Sequence, residues 1–354
     1  MRGQDDYIGA NTSSLTGVRP FISCRMRTLL VIATIILAAS AANFLDEEWS
    51  TWKTNYEKKY VNSKEEGVRR QIWEETWHKV QKHNSLAEKG LKNYTLAMNM
   101  FADMTVKELI PTACNSKRIQ PKQDTKPESS SNFTCDSKKK IKNVVDWRTS
   151  GCVSPVKNSG LYCQAWWAFS TVGVLESRYC IKKKQLIKFS EQQLIDCNDG
   201  NDGCCAGSFE SDFKYVSQKG IMASKNYEYK AGQFECEYNP MKTVKIKVNK
   251  YYTLIGEESI ANEVETNGPV AVTMYITPEF FLYNGGVFDG ECFSNGQAGM
   301  TIVGFGSACG TDYWLLKNNW GKKWGESGYV RVKRNNNHCG IANTAVAGDI
   351  VGSK

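Results

Sequence analysis

The chain has 354 residues, of which 41% are apolar and 23% charged, a balance ordinary for a globular protein with core enough for one large or two medium domains. Its formal charge of +8 invites a nucleic-acid reading, but between Pro111 and Lys142 there are eight Lys/Arg against three Asp/Glu. A basic linker therefore accounts for much of the excess, and no nucleic-acid partner is expected.

Thirteen cysteines point to an oxidising compartment. The N-terminus agrees. Met26-Arg27 precedes the apolar run Leu29–Leu37 and the small residues Ala38–Ala42, which together read as n-region, h-region and A-x-A-like cleavage site of a signal peptide. The run is shorter than the about 20 residues of a membrane span, so a secreted or lysosomal protein is expected, not an integral membrane one. Residues 1–25 are polar, which is unusual ahead of a signal peptide and favours Met26 as the start. Asn93-Tyr94-Thr95 and Asn132-Phe133-Thr134 make Asn93 and Asn132 candidate glycosylation sites.

After this segment (1–42), Phe44–Trp49 opens a helical pattern. A longer helix is predicted from about Lys64 to Leu91, with Val68, Ile72, Trp73, Trp77 and Val80 at helical spacing. Together they read as an all-α module over 43–110. Residues 111–142 turn to Lys, Ser, Pro and Asn, the composition of a flexible exposed linker, with Lys138-Lys139-Lys140 as a candidate cleavage point. From 143 to 354, helices come first: one over Trp167–Lys184, amphipathic with Phe169, Val172, Val174, Leu175 and Tyr179 on its buried side, then one N-capped by Ser190. β-prone runs follow, among them Ala271–Met274, Met300–Val303 and Tyr313–Leu316. Helices first and strands afterwards argue for an α+β architecture.

Glu65, Arg69, Trp73, Thr76, Val80 and Asn84 fall on an E-R-F-N-I-N spacing, and Ala97–Asp103 follows a G-x-N-x-F-x-D motif. Both resemble the prodomain of cathepsin L-type peptidases of the papain-like family. Val144–Arg148, Val153–Asn158 and Tyr313–Gly321 resemble segments of the mature enzymes, so the likeness covers nearly everything from Asn43 to Ala347. It implies an inhibitory prodomain (43–110), an activation segment (111–142) and a papain-like two-lobe domain (143–354) with a helical left lobe, a β-barrel-like right lobe and a cleft between them.

In this family a Cys, a His, an Asn and a Gln supply nucleophile, base, orienter and oxyanion donor. Tyr162-Cys163-Gln164-Ala165-Trp166-Trp167 resembles the C-G-[SA]-C-[WY] signature with Trp166 at the nucleophile's place. An indole N–H only donates and has no thiolate form. Gln297–Gly306 resembles the base segment, with Ala298 where the His belongs. The chain's three histidines, His78, His83 and His338, all lie elsewhere. Asn318 and the shielding Trp320 match the family, with Asn318 left as a structural residue, while Ser159 (or Gly160) takes the oxyanion position. Three of four roles are thus expected to be empty. Gln164 and Ala206 replace cleft glycines, Trp166 is expected to plug the S1 region, and peptide recognition would use the wall near Gly207.

The resemblance pairs Cys163 with Cys204, Cys197 with Cys236 and Cys292 with Cys339. Cys152, Cys180, Cys205 and Cys309 remain; Cys180–Cys205 and Cys152–Cys309 are the expected bonds, with Cys114–Cys135 closing a loop in the linker. No cysteine or histidine spacing suggests zinc, and no metal or cofactor is expected. The chain therefore reads as a non-proteolytic homologue. It would bind peptides or proteins, or act on active cathepsin-like peptidases through its prodomain. An active endopeptidase and an extracellular matrix role stand as alternatives.

Overall fold

The computed structural model describes residues 43–110, 144–161, 163–244, 246–292 and 296–352. The chain divides into two units, residues 1–57 and 58–354. In the first, helix α1 covers 43–55. Trp49 and Trp52 are buried, and their rings stack with centroids 5.2 Å apart.

The second unit opens with α2 (Ser63–Glu88). Asn62 caps it by accepting from the Glu65 amide, and Glu65 accepts in return from the Val61 amide at 2.8 Å. Its buried row is Trp73, Thr76, Val80 and His83, spaced by three and four. Val68 falls one residue off this row and is exposed. Strand β1 (Tyr94–Leu96) is tied to the helix by Asn84, whose amide both donates to and accepts from the Leu96 backbone at 2.9 Å. A short helix α3 (Val106–Leu109) closes the prodomain with a Thr105/Glu108 capping box.

The left lobe contains α4 (Trp166–Lys183), α5 (Glu191–Cys197) and α6 (Phe209–Lys219). Sequence periodicity predicts an amphipathic α4, but every residue from Trp167 to Cys180 is buried. Its charges are neutralised inside: Glu176 accepts from Lys157 Nζ at 2.6 Å and the Phe189 amide at 2.8 Å. Arg178 donates to Pro269 O at 2.9 Å and pairs with Glu263 at 2.7 Å. Ser190 caps α5 through the Gln193 amide.

A small sheet pairs β3 (Ile221–Met222) with β4 (Thr243–Val244). The right lobe is built from β2 (Val145–Asp146), β5 (Ile246–Leu254), helix α7 (Gly256–Asn267), β6 (Val270–Tyr275), β7 (Tyr283–Phe288), β8 (Gln297–Ala308), β9 (Thr311–Lys317), β10 (Tyr329–Lys333) and β11 (Ala345–Gly352). The main sheet runs β1-β7-β10-β9-β8-β6-β11-β5, with β2 added to β8. The prodomain is thus not wholly helical: β1 lies antiparallel on β7, Tyr94 opposite Gly286, and covers an edge of the peptidase domain's sheet.

Disulfides join Cys163–Cys204, Cys197–Cys236 and Cys292–Cys339. The expected Cys180–Cys205 and Cys152–Cys309 bonds are replaced by Cys152–Cys180, with Cα atoms 5.3 Å apart. The reason is local. Gly151 ends the turn Trp147–Ser150 in a left-handed conformation and delivers Cys152 to the last turns of α4. Cys205 and Cys309 are disulfide-bonded as well. Cys114–Cys135, Asn132 and the 138–140 lysine run lie outside the described residues.

Candidate active site cleft

A cavity of about 540 Å³ lies where the lobes meet, and it gathers most of the residues that the sequence singles out. Gln164, Trp166, Ala206 and Gly207 line it from the left lobe; Ala298, Asn319 and Trp320 line it from the right; Ser159 lines it as well. Met104, Glu108, Leu109 and Ile110 of the prodomain line the same space.

Trp166 is the first residue of α4, where the family places its thiol at the amide-rich end of a long helix. Its indole reaches across the cleft. On the left it meets the Phe209 ring edge-on at 6.1 Å. On the right it lies on Gly299, where a Cβ would overlap Cε3 of the indole. Gly299 is a residue that sequence reading passed over. The signal was there: the family's N-H-A-V reads Gln297-Ala298-Gly299-Met300 here. Trp167 is fully buried, and its ring fills the space a Cβ on Gly207 would need, so Gly207 serves packing as well as cavity shape.

Ala298 is buried on β8 opposite Met274. Among the described residues no histidine lines the cavity. His83 bonds the Tyr94 carbonyl at 3.0 Å, His78 is exposed on α2, and His338 sits 3.9 Å from Cys292 Sγ. Burial lowers the His338 imidazole below its ordinary range, with Lys333 adding to the effect. Two cysteines line the cavity, Cys163 and Cys205, and both are in disulfides. All ten cysteines beyond Lys142 are oxidised in this way, so the peptidase domain offers no thiol.

Asn318 is buried. Its Oδ1 accepts from the Asn319 amide at 2.8 Å, while its Nδ2 finds no acceptor among the described residues. Asn319 is the active neighbour. It donates from Nδ2 to Gly299 O at 3.1 Å and accepts from Ser159 Oγ at 3.3 Å, which turns that hydroxyl toward the right lobe. Trp320 stacks on Phe281 at 4.7 Å and takes Phe101 of the prodomain edge-on at 5.3 Å.

Among the described residues, the carboxylates on the cavity are Glu108 and Glu210. Bidentate donation from Arg69, at 2.6 and 2.8 Å, holds the Glu108 carboxyl down at about 2, too acidic for a general base near neutrality. Beneath the cleft, Lys157 joins Glu176 at 2.6 Å and Glu191 at 2.5 Å, and Lys317 donates to Ser154 at 2.8 Å. Burial opposes its charge, but the two carboxylates hold the Lys157 ammonium above the ordinary lysine range. Burial instead pulls Lys317 down to about 8.

The prodomain motifs acquire structural roles at the same surface. Arg69 also donates to Asp103 O at 3.0 Å; Asp103 accepts from Lys58 at 2.6 Å and Tyr60 at 3.0 Å; Asn99 donates to Phe281 O at 2.7 Å. At the candidate glycosylation site, Nδ2 of half-buried Asn93 donates to Asp289 at 2.6 Å.

Family models match both halves of the chain: a papain family cysteine protease domain over residues 141–348 and a cathepsin propeptide inhibitor domain over 49–109. Cathepsin S of Mus musculus is 40% identical over 84% of this chain and 88% of its own length. A cathepsin L-like proteinase of Fasciola hepatica is 36% identical over 90% and 97%. Digestive procathepsin L 3 of Tenebrio molitor superposes with a TM-score of 0.74 at 37% identity, over 86% of this chain and 98% of that one. The chain belongs to the papain family of cysteine proteases, as a cathepsin L-like member that carries its propeptide inhibitor domain.

Proposed function

We propose that this chain is a non-proteolytic member of its family, which works by binding rather than by peptide hydrolysis. The observation that carries the reading is the absence, among the described residues, of any free thiol or histidine on the cleft, with Trp166 at the nucleophile's place and Ala298 at the base's. Ser159 stands where an oxyanion donor is expected, with its hydroxyl given to Asn319. Loss of the nucleophile from such a constellation costs on the order of 10⁶ in rate, so the other vacant roles are free to drift. The fit of Gly299 to the indole supports a settled change rather than a recent lesion.

The partners are peptides or proteins. The cleft persists as a cavity of about 540 Å³ with a mixed apolar and polar lining, the kind of concave site that takes a peptide. No helix among the described residues is long and apolar enough to cross a membrane. The Leu29–Leu37 run and the small residues Ala38–Ala42 support a secretory route to a secreted or lysosomal destination. Glycosylation at Asn93 or Asn132 belongs to that route, and at Asn93 it would have to break the bond to Asp289.

A second reading gives the work to the prodomain as an inhibitor of active relatives. Its support is that β1, Asn99 and Phe101 dock on backbone and rings of the peptidase domain. A fluorogenic dipeptide assay tests the primary reading: no turnover at pH 4–7 is expected, and turnover abolished by a thiol reagent overturns it. Inhibition of a cathepsin L-like enzyme by residues 43–110 alone would move the function to the prodomain.

A further inference from the structure

Four of the residues that line the cavity, 205–208, belong to one left-lobe loop that runs over 198–208 between α5 and α6. Disulfides fix Cys197, just ahead of the loop, and Cys204 within it. Ala206 turns back on Asp202, accepting from its amide at 2.7 Å, and Gly207 lies on the Trp167 ring. Two asparagines complete the loop. Asn201 accepts from the Ser208 amide at 2.9 Å. Asn198 accepts from the Gly200 amide at 3.2 Å and from the Ser211 hydroxyl at 3.3 Å. A side-chain amide can turn either way, so each also needs its nitrogen pinned. One oxygen pins both: Asn198 and Asn201 each donate from Nδ2 to Oδ1 of Asp212 at 2.9 Å.

Asp212 is fully buried on α6. Its other oxygen, Oδ2, finds no partner among the described residues, and neither does the Thr171 hydroxyl that faces the carboxyl from α4. As a neutral acid the group suits this place, with the carbonyl oxygen taking both amides and the O–H turned to Thr171. As an anion it would be a buried charge with one oxygen lacking any donor. Asn198, Asn201 and Thr171 bring no charge to offset it. Glu210, on the same helix, opposes ionisation further, while Asp199 and Asp202 of the loop are exposed. The carboxyl accordingly keeps its proton up to about 8, with burial as the main cause.

We propose that Asp212 is a positioning residue for the cleft: through Asn198 and Asn201 it holds loop 198–208 in the shape that lines the cavity. The hold depends on the proton. A carboxyl freed into water by an opened loop titrates near 3.9, so between that value and about 8 each opening releases a proton. The closed loop is therefore favoured most below about 4 and loses its advantage as pH rises toward 8. The left-lobe side of the cleft is built to be firm in an acidic compartment and to loosen outside it. This role goes beyond the non-proteolytic reading and holds whether the cleft binds or cuts.

The test is hydrogen exchange of the full chain, followed on peptides covering 198–208 and corrected for the intrinsic effect of pH on exchange. Between about pH 5 and 8, protection of the loop in the unaltered chain should fall by up to about tenfold per pH unit. Asp212→Asn keeps an oxygen for both amides and has no proton to lose, so its loop should stay protected with a flat profile. Asn201→Ala leaves the buried carboxyl in place but cuts its link to the Ser208 amide, and should lower loop protection at every pH while α4 stays protected. A flat profile in the unaltered chain would overturn the proposal, as would an equal slope in Asp212→Asn. Unchanged protection in Asn201→Ala, or a loop that exchanges only as slowly as α4, would overturn it too. Failure of the non-proteolytic reading would show instead as peptide turnover, which this experiment does not measure.

Discussion

The Trp166 indole at the start of α4 rests on the α-carbon of Gly299 on β8, so the two positions share one space across the cleft. Either residue with its family partner would misfit: a Cβ at position 299 collides with the indole, and a small side chain at 166 leaves a hole beside Phe209.

The first prediction concerns that pair. Gly299→Ala should destabilise the chain by about 1–3 kcal/mol through overpacking, read as a lowered denaturation midpoint. Combined with Trp166→Cys, the same substitution should cost much less than the sum of the two singles. Additive effects would show that the two positions do not share the space.

Restoring the chemistry should need several changes at once. Trp166→Cys alone places a thiol at a helix N-terminus with no imidazole beside it, and peptide turnover should stay at background. Adding Ala298→His and Gly299→Ala should lower the apparent thiol pKa below the usual about 8.5, measured from the pH dependence of alkylation. Equal alkylation profiles for both variants would mean that position 298 does not face position 166.

The prodomain should hold to the peptidase domain largely through Phe101, which is buried edge-on against the stacked Phe281 and Trp320 rings. Phe101→Ala should cost about 3–5 kcal/mol and raise hydrogen exchange over β1 and α3. Unchanged protection there would place the anchoring elsewhere.

Lys157 pairs with two buried carboxylates, Glu176 and Glu191. Lys157→Met should cost about 3–5 kcal/mol by leaving buried negative charge unpaired. Chemical denaturation measures it, and a loss below about 1 kcal/mol would contradict the structural role of the cluster.

A fifth prediction follows from Asp212 on α6, which accepts from Asn198 and Asn201 at 2.9 Å. Burial pushes its carboxyl up to about 8 against those donors. The folded chain thus keeps a proton that an unfolded aspartate releases near 3.9. The resulting stability is fully present below about 4 and is lost as pH rises toward 8. Thermal melts across that range should show the decline, and Asp212→Asn should flatten it; an unaltered slope would assign the pH dependence to other groups.

The sequence made the fold legible because the motifs that carry it are local. Arg69 and Asn84 sit at fixed spacing, and the structure gives each a defined partner: Arg69 meets Glu108, and Asn84 meets the Leu96 backbone. The cleft was readable to the extent that Gln164, Trp166, Ala206, Gly207 and Ala298, singled out in the sequence, line one cavity. What was not legible depends on three-dimensional neighbours. α4 carries the 3.6-residue pattern of a half-exposed helix, yet Glu176 and Arg178 are buried because their partners come from distant segments. The Cys152–Cys180 bond turns on one left-handed glycine, and strand β1 exists because β7 offers it an edge.

The central claim is that the cleft has no nucleophile. It is tested most directly by treating the purified chain, before and after cleavage of the linker, with an epoxide that alkylates active-site cysteines. The account predicts no label by intact mass. Stoichiometric labelling at one cysteine, blocked by prior thiol alkylation and accompanied by peptide turnover, would contradict it.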